Sequence, residues 1–459
     1  MTARPDLRSI TTIAPLLRAG TVSPVDLVRG CLTRIDGRPE LNAFITVMRE
    51  RALADAAVAE QEIRAGHYLG PLHGVPVSVK DLIDVAGTPT TAGSALPPRY
   101  PRADAPVVTR LREAGAILIG KTNLHEFAFG TTSEESAFGP VRHPLDPSRS
   151  PGGSSGGAAV ALVEGMCFGS VGTDTGGSVR IPSAACGTVG LKPCPDEVSC
   201  EGVVALSTTL DHVGPMTRTV ADAAVMFHAM QARPPLHGLR PARAAGPRVL
   251  GVPEPYFCER LDPGVRQALA RALDTLRHAR YEIRSVAIEH AARTADVYVH
   301  IVLPEASWYH APTIDVHAER YSPEVRVRLQ MGRYILAQDY VRAMFLRGVL
   351  TRAVNRALEG CDALLLPTLP IPAPPLGAAS IDVDGQKEPV RAAMLRLTQL
   401  FNITGHPAIA LPAGRTGDGW PVSLQLVGAQ NDTEGLLELA AEVEPYMIGG
   451  DGSVGGGAG

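Results

Sequence analysis

Hydrophobic positions along the chain fall into two repeating patterns. Short runs are either apolar on nearly every residue or alternate with a period of two. Longer stretches are apolar on one face only. Val75-Pro76-Val77-Ser78-Val79-Lys80 alternates and predicts a strand; residues 116–120 and 363–366 are apolar throughout and predict fully buried strands. Further strands are predicted at 43–47, 168–171, 248–252, 281–286, 408–411 and 422–427. Ser23-Pro24-Val25-Asp26 predicts a helix start, with a serine N-cap, a proline at the first helical position and an acid two residues on; the helix runs to about residue 35. Other helical patterns cover about 50–65, 105–114, 264–278, a block over 323–358, and 433–443. Strand and helix alternate, so the expected class is α/β with a largely buried sheet.

Composition changes this picture in two places. The chain holds 47 glycines among 459 residues, and 11 of them fall within 151–193, a stretch with only four charged residues, Glu164, Asp174, Arg180 and Lys192. A glycine-rich, charge-poor stretch in a globular chain implies burial and unusual backbone geometry. Second, only four of the 43 basic residues are lysines: Lys80, Lys121, Lys192 and Lys387. Arginine keeps its proton in a protein, whereas a buried lysine can lose it, so each retained lysine is a candidate for chemistry that needs a neutral amine. Lys121 and Lys192 are expected in structural charge pairs, and Lys387, beside Asp382, Asp384 and Glu388, at the surface.

Net charge and cysteine usage exclude several classes. A formal charge of −4 argues against a nucleic-acid footprint. No apolar run approaches the ~18 residues of a membrane helix. Residues 1–20 are interrupted by Arg4, Asp6, Arg8 and Arg18 and lack the apolar core of a signal peptide. Seven cysteines without CxxC spacing indicate neither a disulfide framework nor a zinc site, so a reduced cytoplasm is expected. Residues 233–247, rich in Pro, Ala and Gly, read as a surface loop, and 449–459, with seven glycines in eleven residues, as a flexible tail.

Two motifs carry the candidate chemistry. Gly152-Gly153-Ser154-Ser155-Gly156-Gly157 could cradle a phosphate, form a structural turn, or present a serine on a sharply bent backbone. It lacks the Gly-Lys-Ser/Thr ending of a phosphate loop and the strand-and-acid context of a dinucleotide fold. Gly172-Thr173-Asp174-Thr175-Gly176-Gly177-Ser178-Val179-Arg180 places a serine between a glycine-rich turn and a helix start, where backbone N–H groups and the helix dipole could stabilise an oxyanion. A serine nucleophile needs a base. His73, His125 and His212 remain open as partners, and the scarcity of lysine points to a Ser–Lys alternative.

Taken together, Gly74-Val75-Pro76-Val77-Ser78-Val79-Lys80-Asp81, the GGSSGG run, GTDTGGSVRIPSAACGTVGLKP, Gly120-Lys121-Thr122-Asn123 and Leu210-Asp211-His212-Val213-Gly214-Pro215 resemble the amidase signature family. Cys361-Asp362-Ala363-Leu364-Leu365-Leu366-Pro367-Thr368 and Gly405-His406-Pro407-Ala408 match its C-terminal part, and the resemblance spans about residues 6–445. It implies one domain over 1–448 with its core motifs in 70–220, and a large mixed central sheet covered by helices on both faces. It also implies a Ser–cisSer–Lys triad: Ser178 as nucleophile, Ser154 as relay after a cis peptide bond to Gly153, and Lys80 as base. The N–H groups of Thr175, Gly176, Gly177 and Ser178 would form the oxyanion hole, with Ser155 and Asp174 as supports. No metal or organic cofactor is implied.

The expected partner is a small amide, ester or carbamate (urethane), with no nucleic acid or membrane, and the expected state is monomer or homodimer. Two alternatives stand beside a free-standing amidase. One is the glutamine-hydrolysing A subunit of a tRNA-dependent amidotransferase; the other is a non-catalytic binding protein on the same fold. Leu395 occupies the place expected for the glutamine-binding acid of that amidotransferase component, and the segment Cys194–Cys200 departs from its usual sequence. Both departures favour a free-standing hydrolase with a less polar pocket.

Overall fold

The computed structural model describes residues 9–231 and 248–447. The predicted loop at 233–247 and the glycine-rich tail lie outside the described residues. The strands are β1 (Phe44–Val47), β2 (Pro76–Lys80), β3 (Ile117–Thr122), β4 (Gly169–Thr173), β5 (Val189–Lys192), β6 (Val213–Thr217), β7 (Val249–Pro253), β8 (Glu282–Val286), β9 (Ala363–Pro367), β10 (Ser380–Val383), β11 (Gln386–Pro389), β12 (Ala408–Arg415) and β13 (Pro421–Val427). Eleven of them form one sheet in the order β1-β3-β2-β4-β6-β5-β12-β13-β9-β7-β8, and β10 and β11 make a separate hairpin.

The sheet is mixed. β2 runs parallel to both β3 and β4, and β7 parallel to both β8 and β9, while the pairings from β4 through β13 to β9 are antiparallel. Every residue of β2, β3, β4, β5, β6, β9 and β13 is buried, because helices flank the sheet and cover these strands on both faces. This explains the continuous apolar runs at β3 and β9, a pattern typical of strands with no solvent face.

The predicted helix start at Ser23 is present: Ser23 Oγ accepts a hydrogen bond from Asp26 N at 3.2 Å, and the helix covers Pro24–Gly37. The helical block at 323–358 is two helices, Pro323–Gly332 and Ala337–Leu358. Three helices the pattern does not predict, Ile10–Arg18, Gly156–Val163 and Val220–Met230, pack against the core. A fourth, Thr294–His317, is the longest in the described chain despite Pro304 and Pro312.

Candidate active site

Sheet topology brings the first two functional groups together. β2 and β4 are parallel neighbours, so their C-terminal ends share one edge, with Lys80 closing β2 and Thr173 closing β4. Open α/β sheets commonly place their chemistry at that edge. Lys80 is fully buried, and its Nζ lies 2.7 Å from Ser154 Oγ and 2.9 Å from Thr173 Oγ1. It senses the carboxylates of Asp211 and Asp174 but is ion-paired to neither. Burial pushes its pKa down from 10.5 to about 7, against the opposing pull of those two carboxylates. The amine therefore has a neutral form in reach near neutral pH, and the Ser154 hydroxyl can then donate to Nζ.

The GGSSGG run holds Ser154 in place through close backbone packing. The Gly153–Ser154 peptide bond is cis. A Cβ on Gly153 would stand 2.8 Å from the N atoms of Thr132 and Ser133, and one on Gly157 would stand 2.5 Å from Asn123 O. The loop's own N–H groups are engaged inside the protein: Ser155 N donates to Ser178 O at 3.3 Å, Gly156 N to Ser133 Oγ at 3.1 Å and Gly157 N to Asn123 O at 3.1 Å. A phosphate cradle needs such groups free, so the phosphate-loop alternative is set aside on geometry.

Ser178 lies at the end of the second glycine-rich turn, 5% exposed, with its carbonyl tied to Ser155 N. No hydrogen bond joins its hydroxyl to Ser154 Oγ; such contacts commonly tighten only when substrate is present. The N–H groups of Thr175, Gly176, Gly177 and Ser178 donate to no protein acceptor among the described residues, although all four residues are buried. Buried backbone donors are rarely left unpaired, and four in succession mark a place where an oxygen can be received. Gly177 has φ +135°, and its position faces Thr398, whose Oγ1 donates to Gly176 O at 2.6 Å.

One expectation needs correction here. The N-terminus of the helix Arg180–Cys186 is not turned over to an oxyanion. Asp174 Oδ2 accepts from Val179 N at 3.2 Å and from Arg180 N at 3.3 Å, so a carboxylate already sits on that end. Asp174 instead anchors the turn. Arg180, fully buried, uses all five N–H donors: two on Asp174, two on Thr398 O and Gln425 Oε1, and one on Asn402 Oδ1. Burial pushes the Asp174 pKa up, but Arg180 and Asn402 outweigh it and hold the carboxyl below its usual range. Ser155 Oγ, 3.4 Å from Thr173 O, braces the other side.

The histidines open as partners do not reach the serines. His73 Nε2 faces Glu62 at 3.0 Å, and His212 Nδ1 lies 2.8 Å from Leu210 O. Neither ring nitrogen of His125 has a partner among the described residues. Burial pushes the pKa of both His125 and His212 down to about 3, leaving weak bases. Among the other lysines, Lys121 pairs with Asp81 at 2.9 Å and Lys387 is exposed, as expected. Lys192 departs from the expected charge pair: it is buried and donates to Pro193 O at 3.1 Å, with no ion pair among the described residues; the nearby Asp174 is committed to Arg180.

Sequence reasoning missed Thr173, Arg180 and Asn402 as parts of the site, and also Asp211, which accepts from Thr175 Oγ1 at 2.5 Å and from the N–H groups of Leu206 and Ser207. It missed Tyr298, whose hydroxyl would stand 2.6 Å from a Cβ on Gly176; Leu395 Cδ2 would stand 3.0 Å from the same atom. Thr173 lies two residues beyond the strand predicted at 168–171, directly before Asp174, and the pattern there does not single it out. Tyr298 sits in the unpredicted helix.

The Amidase family profile matches residues 26–437. The chain belongs to the amidase signature family. It is 40% identical to an amidase of Pseudomonas putida over 90% of each chain. It is 36% identical to the A subunit of glutamyl-tRNA(Gln) amidotransferase from Geobacter metallireducens, over 93% of this chain and 95% of that one. A crystal structure of an amidase superposes with a TM-score of 0.90 at 40% identity, covering 96% of this chain and all of the other. The amidase signature chain is thus a hydrolase of amide C–N bonds acting on small molecules. No helix among its described residues is long and apolar enough to cross a membrane.

Proposed function

We propose that the protein is a free-standing amidase that works through Ser178, Ser154 and Lys80. Neutral Lys80 takes a proton from Ser154 as Ser154 takes one from Ser178. Ser178 Oγ attacks the substrate carbonyl, and the oxyanion is received by the N–H groups of Thr175, Gly176, Gly177 and Ser178. The proton returns to the leaving amine as the C–N bond breaks. Water then hydrolyses the acyl-enzyme along the same proton path, and the same steps extend to esters and carbamates. The observation that carries this reading is the fully buried Lys80 amine, 2.7 Å from Ser154 Oγ and with no ion pair among the described residues. Residues 1–448 act as one catalytic domain, as monomer or homodimer, in a reducing cytoplasm. That placement accords with seven free cysteines, four of them buried.

The proposed substrates are small apolar or aryl amides. Leu395 and Tyr298 stand over Gly176, so an ammonium group there would meet no carboxylate from position 395. The test is a turnover panel of p-nitroanilides, aryl carbamates and free glutamine with the purified chain. Anilide or carbamate turnover with slow glutamine hydrolysis supports the reading. Efficient glutamine hydrolysis would instead assign the chain to the amidotransferase class, and no turnover by folded protein would leave a binding protein.

A further inference from the structure

Arg391 is a charged group beside the site that the triad chemistry does not use. It lies on the short helix Val390–Leu395, four residues before Leu395 and so on the same helix face, and Leu395 reaches the oxyanion turn at Gly176. Its guanidinium makes no hydrogen bond or ion pair among the described residues, and its Nε is buried without a partner. Its Cζ lies 5.9 Å from the ring centre of Phe129, which is buried, and Arg328 lies at the same distance from that ring.

The two arginines differ in one respect. Arg328 is committed, donating to Phe129 O at 2.7 Å and pairing with Glu324. Of the carboxylates near Arg328, Glu126 accepts from Ser94 Oγ at 2.6 Å and Ser322 N at 2.8 Å, Glu134 accepts from Gly377 N at 3.1 Å, and Glu135 keeps a buried Oε2 with no partner among the described residues. Arg391 itself is paired with none of these carboxylates. Its charge is felt by Tyr298, which stands over Gly176, and Leu395, one helical turn away, reaches the same glycine of the oxyanion turn. A guanidinium in this setting, with five donors and no acceptor, fits the planar fork of a carboxylate.

Resting on the amidase reading above, we infer that Arg391 is a specificity-determining residue that binds a carboxylate on the substrate, so that the preferred substrates are amides with an apolar or aryl body and one anionic end. Leu395, one helical turn away, provides no matching acid for an ammonium group. This separates the inferred class from free amino-acid amides such as glutamine.

The test compares matched pairs differing only in the anionic end: succinamate against butyramide, with the carboxylate on the acyl side, and hippurate against N-ethylbenzamide, with it on the amine side. Charge-assisted hydrogen bonds are worth roughly tenfold or more in binding. Wild-type kcat/KM is therefore expected to favour the carboxylate member of at least one pair by about tenfold or more, mainly through KM. In Arg391→Leu that ratio should collapse towards one, and Arg391→Lys should restore part of it. Calorimetry on Ser178→Ala protein with hippurate and N-ethylbenzamide reads the same preference without turnover, so the anion reading stands or falls even if the triad assignment fails. Neutral amides cleaved as well as their charged partners, or a preference that survives Arg391→Leu, would overturn the inference and leave the amidase reading intact.

Discussion

Lys80 offers the sharpest test of the proton path. Its pKa is pushed down to about 7 because the amine is fully buried. The active form is the neutral one, so activity must be lost as pH falls through the folded pKa, not as it rises. With a pKa of about 7, the neutral fraction is about 0.9 at pH 8, about 0.5 at pH 7 and about 0.01 at pH 5. The profile of log kcat/KM should therefore rise with unit slope and bend near pH 7; an ordinary lysine would place that bend near 10.5. Lys80→Arg sharpens the case. Arginine keeps a positive charge at this position but cannot give up its proton, and its planar fork has little room where one nitrogen meets Ser154 and Thr173 at 2.7 and 2.9 Å. General-base assistance is worth ~10²–10⁴-fold, so Lys80→Arg and Lys80→Ala should each lose at least that order. The assay is a stopped-time amide hydrolysis series from pH 5 to 10, with circular dichroism confirming that both variants are folded. A folded Lys80→Arg enzyme keeping more than about a tenth of wild-type activity, or a bend near pH 10, would refute the role of Lys80 as base.

Other outcomes follow from the same structure. Asp211→Asn removes a negative charge that favours protonated Lys80, so the acidic limb should move to lower pH; a move upward in the same pH series contradicts the stated sign. Arg180→Met strands the fully buried Asp174 carboxylate and should cost about 3–5 kcal/mol by urea unfolding, whereas a loss below about 1 kcal/mol would mean the network is not held as described. Gly157→Ala puts a Cβ against the backbone of Ala43 and Asn123 and should destabilise the fold by about 1–3 kcal/mol, visible as a lower Tm; an unchanged Tm would show that this packing is loose.

Much of the site was legible in the chain because it is built from local motifs. Ser154, Ser178 and the intervening glycines lie on two turns whose composition has few other uses, and Lys80 is one of only four lysines among 43 basic residues. What the sequence hid depends on distance along the chain. Arg180 finds Thr398, Asn402 and Gln425 only after β5, β12 and β13 bring the two halves of the sheet together. The helix carrying Tyr298 was obscured by Pro304 and Pro312, which its packing tolerates. β6 was obscured by Pro215; it is an interior strand in which Pro215 stands opposite Val171 of β4 but outside the ladder with β5, which covers only Met216 and Thr217. The helix-dipole expectation failed because the pattern around Ser178 could not reveal that Asp174 would fold back onto the same helix end.

The central claim is that Ser178 becomes acylated. The most direct measurement is active-site labelling with a fluorophosphonate, followed by peptide mass spectrometry of the wild type and of Ser178→Ala. The account predicts one label per chain on Ser178, no label in the folded variant, and turnover in that variant below a thousandth of wild type. A label on another residue, or a Ser178→Ala enzyme that keeps a tenth of its kcat and still forms an acyl-enzyme, would contradict it.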